Sequence, residues 1–321
     1  MSNMGIVGDY LAYLEAVRGL SVRTLEAYTE DLLKYADYCK NHEIDPERAT
    51  AYHVQGFIAH LSFERAAPAS INRRLSSVRG LYRWMIRNNR RKDNPCDLLR
   101  NVKITQALPS VLWEDEMARF IELPEVRNIL WPARDKALIF TMYSAGLRIS
   151  ELVSLNMNML KGDMKSAKIK GKGGKERKVF FSDEAHAAIA DYLPERTAEI
   201  TAAGLKGISI NGALFISRKG QQLSVPGVRW IIAQYAAQYT QVSGITKNIH
   251  PHSLRHTFAT HLVNAGCDVR IVQEMMGHAS LSTTQRYAHV NIERLKKVYA
   301  KAHPHGHSLA NSSHRDTETR R

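Results

Sequence analysis

The chain predicts a mainly α-helical protein of two domains with a small antiparallel β-sheet, and three observations carry that prediction. Apolar residues recur at helical spacing along most of the 321 residues. One stretch, around the turn Gly171-Lys172-Gly173-Gly174, reads instead as a β-hairpin. The helical pattern breaks near Asn101 to Ser110, where Pro109 precedes a fresh acidic helix start at Glu114-Asp115-Glu116. A hydrophobic share of 44% suits globular folding, and a chain of this length usually divides into more than one core. The boundaries expected from these signals are a helical domain at 1–105, a second domain at 106–302 and a polar tail at 303–321. The tail holds almost no apolar residue and predicts disorder.

In the first domain, Tyr10, Leu11, Leu14 and Val17 share a helical face, as do Leu25, Tyr28, Leu32 and Tyr35 after a capping Ser21. A third helix follows Thr50 and carries Val54, Phe57, Ile58 and Leu61. The fourth, within Ser70 to Lys92, holds Arg73, Arg74, Arg79, Arg83, Arg87, Arg90, Arg91 and Lys92 and no acid. Its apolar residues Ile71, Leu75, Val78, Tyr82, Met85 and Ile86 keep to one side, while Arg79, Arg83 and Arg87, four apart, form a stripe. A solvated face is the ordinary reading of a charge run. The complete lack of acids favours a surface that meets phosphates, which would offset the mutual repulsion.

The second domain opens with helices to about Tyr143, where Gly146 reads as a left-handed helix end and Arg148 begins a short helix. The hairpin follows, with strands around Lys168-Ile169-Lys170 and Arg177-Lys178-Val179-Phe180. Helices are then expected from Asp183 to Leu193, Pro226 to Tyr239, Pro251 to Ala265, Asp268 to Met276 and Ile292 to Lys301.

A net charge of +14 calls for a polyanionic partner, nucleic acid before an acidic membrane surface. No apolar run approaches the roughly 18 residues of a spanning helix, and the N-terminus lacks the layout of a signal peptide. The three cysteines, Cys39, Cys96 and Cys267, stand far apart, as buried thiols of a cytoplasmic protein do.

The chemistry concentrates in Pro251-His252-Ser253-Leu254-Arg255-His256, Gly277-His278 and Thr283-Thr284-Gln285-Arg286-Tyr287, with Ala145-Gly146-Leu147-Arg148 upstream. A phenol can attack phosphorus, and arginines and histidines can hold the charge that builds on its oxygens. The group therefore points to phosphoryl transfer through a covalent tyrosine intermediate. His252 and His256, four apart, also have zinc-ligand spacing. Ser253, however, stands where a zinc-protease helix carries glutamate, and Arg255 would set a cation beside the metal. His256 reads as a structural hydrogen-bonder. The Gly171–Lys175 turn lacks the order of a nucleotide-binding loop and leaves a glycine-hinged lysine able to enter a groove. No cofactor and no metal are expected.

Residues 113–302 resemble the catalytic domain of the tyrosine recombinase (phage-integrase) family. The resemblance rests on Ala145–Leu152, Gly171–Arg177, His252–His256, Met276-Gly277-His278 and Ser282–Tyr287. The first domain is similar to that family's core-binding domain, and the length and ending resemble its bacterial Xer branch. The resemblance implies a C-shaped clamp of two domains on double-stranded DNA. Tyr287 would be the nucleophile, Arg148, Arg255 and His278 would contact the phosphate, His252 would assist the phenol, and Lys172 would protonate the leaving oxygen. Arg73, Arg74, Arg79, Arg83, Arg87 and Lys175 are the expected DNA contacts. The resemblance further implies a cyclic tetramer on a recombination site and resolution of chromosome or plasmid dimers. It admits a second related recombinase in the tetramer and a DNA translocase as regulator. An integrase of a mobile element, a type IB topoisomerase and a non-catalytic DNA-binding regulator remain the alternatives.

Overall fold

The structure is a computed structural model that describes residues 4–16, 20, 22–104, 110–160, 165–171, 176–204, 212–277 and 304. The chain separates into two compact units, Met1–Ala107 and Leu108–Arg321.

The first unit is built on α1 (Met4–Ala16), α2 (Val22–Asn41), α3 (Ala51–Phe63) and α4 (Pro68–Arg87). Their inward faces meet at Tyr10, Leu14, Leu32, Tyr35, Val54, Phe57, Leu75, Val78 and Tyr82, all buried. The two phenols at its centre bond each other, Tyr35 Oη to Tyr82 Oη at 2.6 Å, and Tyr82 donates to the Pro46 carbonyl at 3.1 Å. Both hydroxyls thus enter the core satisfied.

The basic run on α4 does more for this unit than its sequence suggests. Asp31 of α2 is fully buried, and burial pushes its carboxyl up despite Ser77 and Arg73. Ser77 Oγ donates to it at 2.8 Å, Arg73 pairs with it at 2.9 Å, and Arg74, 13% exposed, lies 3.7 Å away. These contacts register α4 on α2. Arg79 donates to Asn101 Oδ1 at 2.8 Å and to the Leu99 carbonyl, while Asn72 pairs with both backbone groups of Val102. The segment after α4 is thereby strapped back along it. Arg90 pairs with Asp9 at 3.0 Å and lies over Trp84, and Arg91 donates to the Glu47 carbonyl at 2.9 Å. Among the described residues, Arg83, Arg87 and Lys92 are the exposed members of the run that make no hydrogen bond or ion pair.

The second unit contains α5 (Glu114–Arg127), α6 (Pro132–Ser144), α7 (Ile149–Ser154), β1 (Ser166–Lys170), β2 (Glu176–Phe180), α8 (Asp183–Ala202), α9 (Val225–Ser243), α10 (Pro251–Asn264) and α11 (Val269–Met275). Strands β1 and β2 form an antiparallel pair in register from Ser166↔Phe180 to Lys170↔Glu176. Helix α6 is the axis of the unit. Its residues 137–144 are all buried, and it packs on α5, α8 and α10.

Helix α8 runs past the expected stop at Leu193 and continues through Pro194 to Ala202. Tertiary contacts on both sides of the proline outweigh its missing donor. Tyr192 stacks on Phe215 at 5.9 Å, Glu195 accepts from the Trp131 indole, and Arg196 Nε donates to the Ala213 carbonyl at 2.9 Å. The helix expected at 292–301 and the tail lie outside the described residues, Pro304 excepted.

The turn after α6 takes the expected left-handed form, with Gly146 at φ +55°. Gly146 N donates to the Tyr143 carbonyl and Leu147 N to the Met142 carbonyl, each at 3.2 Å, which satisfies two helix-end carbonyls. A side chain here would also collide with the Phe258 ring of α10. Gly146→Ala combines left-handed strain with overpacking, so a loss of about 2–4 kcal/mol is expected. The lowered thermal midpoint of the second unit's transition reads it. An unchanged midpoint would show that α6 and α10 separate easily.

Candidate functional site: three arginines on one helix end

The site begins with α11, a short helix whose last carbonyls would be orphaned without partners. Three successive carbonyls there each receive a different arginine. Arg177 Nε donates to Met275 O at 3.1 Å, Arg255 Nη2 donates to Met276 O, and Arg148 Nη2 donates to Gly277 O at 3.1 Å. The negative end of the helix dipole favours cations there. Gly277 is at φ +64°, and a Cβ on it would lie 2.9 Å from Arg177 Nη1, so only glycine allows the guanidinium this close.

The three side chains come from three elements. Arg148 is the N-cap residue of α7, Arg177 the second residue of β2, and Arg255 lies in the second turn of α10. Behind them sits Glu151 of α7, 3% exposed. Its oxygens accept Arg148 N at 2.8 Å, Arg148 Nη1 at 2.9 Å, and both terminal nitrogens of Arg177 at 2.7 and 2.9 Å. Arg255 Nη1 lies 3.7 Å from it and donates to the Gly146 carbonyl. Burial alone would push the Glu151 carboxyl up. The bonds from Arg177 and Arg148 overcome that and hold it below the ordinary carboxylate value. Burial, with Arg148 and Arg177 nearby, brings Arg255 down to about 10 against the pull of Glu151. It therefore remains cationic at neutral pH. Three guanidiniums share one carboxylate, and the cluster keeps a surplus of positive charge.

Arg148 is 30% exposed and Arg255 nearly buried, so the first offers its remaining donors most openly. One turn before Arg255, His252 is exposed near the start of α10. That start is fixed by His250, whose Nδ1 accepts Ser253 N at 3.0 Å and whose backbone N donates to Ser253 Oγ at 2.8 Å. An accepting Nδ1 needs a neutral ring. Burial, with His252 beside it, lowers the His250 pKa in the same direction. His256, expected as a structural hydrogen-bonder, is exposed instead, because it faces away from the α6 side of α10. That structural part falls to His261, which bonds Tyr143 Oη and the Leu112 carbonyl, both at 2.8 Å.

Of the residues singled out from sequence, the structure brings Arg148 and Arg255 onto one helix end, with His252 a turn away. Lys172, Lys175, His278 and Tyr287 lie outside the described residues. Glu151 and Arg177 lie inside motifs quoted from the sequence, but neither is given a role there. The three-residue step from Arg148 to Glu151 is that of a capping box and was a signal for the first. Nothing local marks Arg177 apart from its neighbouring basic residues.

Comparison with known proteins places this arrangement. Residues 110–294 match the phage integrase family, and residues 7–89 match the phage integrase N-terminal SAM-like domain. The chain is 39% identical over 304 residues to the tyrosine recombinase XerC of Treponema denticola, covering 92% of this chain and 98% of the relative. It is 36% identical over 300 residues to the tyrosine recombinase XerD of Oceanobacillus iheyensis, covering 93% and 98%. The solved structure of the Tn1549 transposon integrase in complex with circular intermediate DNA shares the fold, with a TM-score of 0.71 at 18% identity, over 91% of this chain and 98% of that one. The chain belongs to the phage integrase family. Within it, the chain is a tyrosine recombinase of the Xer type, an enzyme of site-specific DNA recombination.

The Glu151 carboxyl makes the cluster sensitive to acid. Its folded pKa lies below its unfolded value of about 4.3, so its stabilisation is present above that pH and is lost as pH falls through the folded value. Glu151→Gln should cost on the order of 3 kcal/mol at pH 7, and the gap from the parent should narrow as pH falls below the unfolded value and close below the folded one. Thermal melts across that range check this, and a gap that stays constant with pH would contradict a shared anionic hub.

Proposed function

We propose that the chain cuts and rejoins one DNA strand at a time through Tyr287 and thereby resolves chromosome or plasmid dimers in the cytoplasm. The observation that carries the reading is the pairing of Arg148 and Arg255 on the end of α11, one residue before His278 in the chain. Planar guanidiniums anchored at one side and with donors to spare suit the non-bridging oxygens of a phosphodiester.

The phenolic oxygen of Tyr287 attacks the scissile phosphorus and gives up its proton with help from His252. A 3′-phosphotyrosyl bond forms as the bond to the 5′-oxygen breaks, and that oxygen takes a proton from Lys172. Arg148, Arg255 and His278 hold the charge that builds on the phosphorane oxygens. Attack by a 5′-hydroxyl from another strand reverses the step and releases Tyr287. The bond energy stays in the covalent link throughout.

Double-stranded DNA reaches the first unit through Arg83 and Arg87, the exposed members of the α4 stripe, with Arg73 and Arg79 held beside them. Arg74 serves the Asp31 contact first. Lys175 adds a phosphate contact from the hairpin. Four subunits act as a cyclic tetramer, with a second related recombinase and a DNA translocase as candidate partners. Integration of a mobile element is the second reading, which the fold shared with a transposon integrase keeps in view. Conversion of a plasmid dimer into monomers at a site that is not the end of a mobile element separates the two.

Two outcomes are expected. Tyr287→Phe removes only the nucleophilic oxygen, so it should shift DNA like the parent but form no covalent adduct on a suicide substrate. An adduct in this variant would mean that another residue attacks. Truncation after Asn291 removes the apolar stripe Ile292, Leu295, Val298, Tyr299 and Ala302. The truncated protein should bind a single half-site but lose cooperative binding of adjacent half-sites and strand exchange, measured by gel shift. Cooperativity retained in a folded truncation would place that stripe on its own subunit.

A further inference from the structure

We infer that Arg177 is a positioning residue, which fixes the hairpin carrying Lys172 against the helix end that leads to His278. The inference rests on the assignment of Lys172 as the general acid. Among the described residues, Arg148 and Arg255 reach the end of α11 from helical elements, and Arg177 is the arginine that reaches it from the hairpin. Its fork spans two structures at once. Nη1 and Nη2 lie on the two Glu151 oxygens at 2.7 and 2.9 Å, and Nε lies on Met275 O at 3.1 Å.

The location on the strand matters. The far end of β2 is held by buried Val179 and Phe180, whereas Glu176, next to the turn, is exposed. Arg177 is thus the inward-bound residue of β2 nearest the turn, and it sits opposite buried Ile169 in the strand register. Gly277 leaves the space that the guanidinium fills. Five planar donors permit this triple engagement, which one ammonium cannot reproduce. The same two Glu151 oxygens also accept Arg148 N and Nη1, so one carboxylate joins β2 to α7. The tie therefore fixes the start of β2, four residues after Lys172 in the chain, relative to the phosphate-binding pair.

The test compares two full-length variants, Arg177→Lys and Lys172→Ala, on a suicide substrate with either an ordinary scissile phosphate or a 5′-bridging sulfur. The sulfur departs without a proton. Arg177→Lys keeps the charge and loses the fork, so cleavage of ordinary DNA should fall by about 10²-fold, as for a misplaced catalytic group. Sulfur should restore most of that loss, as it should for Lys172→Ala. If Lys172→Ala is rescued and Arg177→Lys stays equally slow on both substrates, Arg177 supports the fold or the phosphate and the inference is wrong. If neither variant is rescued, the acid assignment fails and the inference fails with it. Should circular dichroism show Arg177→Lys to be unfolded, Arg177→Gln, which keeps an amide donor without the charge, is read by the same comparison.

Discussion

The second unit depends on one buried carboxylate that answers to three guanidiniums. Without Glu151, the cations of α7, β2 and α10 would stand close together with only carbonyls between them. Without the cations, the carboxylate would be an uncompensated buried charge, which costs several kcal/mol. Each side of the exchange makes the other tolerable, and the end of α11 completes it with three carbonyls that need donors in any case. The elements around α6 are thereby joined by polar bonds at a point where the apolar core alone would leave their relative positions loose.

The first unit uses its charge differently. A run of basic residues without an acid looks like a surface made for phosphate, yet Asp31, Glu47 and Asp9 reach it from other helices and loops and take up much of it. Helix α4 is therefore a structural beam along most of its charged length, with Arg83 and Arg87 left for an external anion. Counting charge along a sequence overstates what is offered to a partner, because the countercharges lie far away in the chain.

Local signals were legible in the sequence where the governing physics is local. The hairpin strands, the left-handed Gly146, the apolar face of α4 and the boundaries of α10 follow from turn chemistry and apolar period. The continuation of α8 through Pro194 did not, since Phe215 and Ala213, which hold it, lie about twenty residues on. The same limit applies to the site. Arg148 and Arg255 stand out in recognisable motifs, whereas Glu151 and Arg177 acquire meaning only when β2 is set against α7. Long-range ion pairing has no period and no composition, so a single sequence leaves it silent.

Gly146 carries a consequence that reaches beyond the turn it makes. Its left-handed backbone directs a peptide carbonyl onto Arg255, and its missing side chain admits Phe258 from the same helix. The glycine thus serves as a hydrogen-bond acceptor for the site and as a packing surface for the core. These demands leave the position almost no mutational freedom, although no atom of it enters the chemistry. Evolutionary drift should therefore be slow at a residue whose contributions are one carbonyl, a left-handed backbone and an absence of bulk.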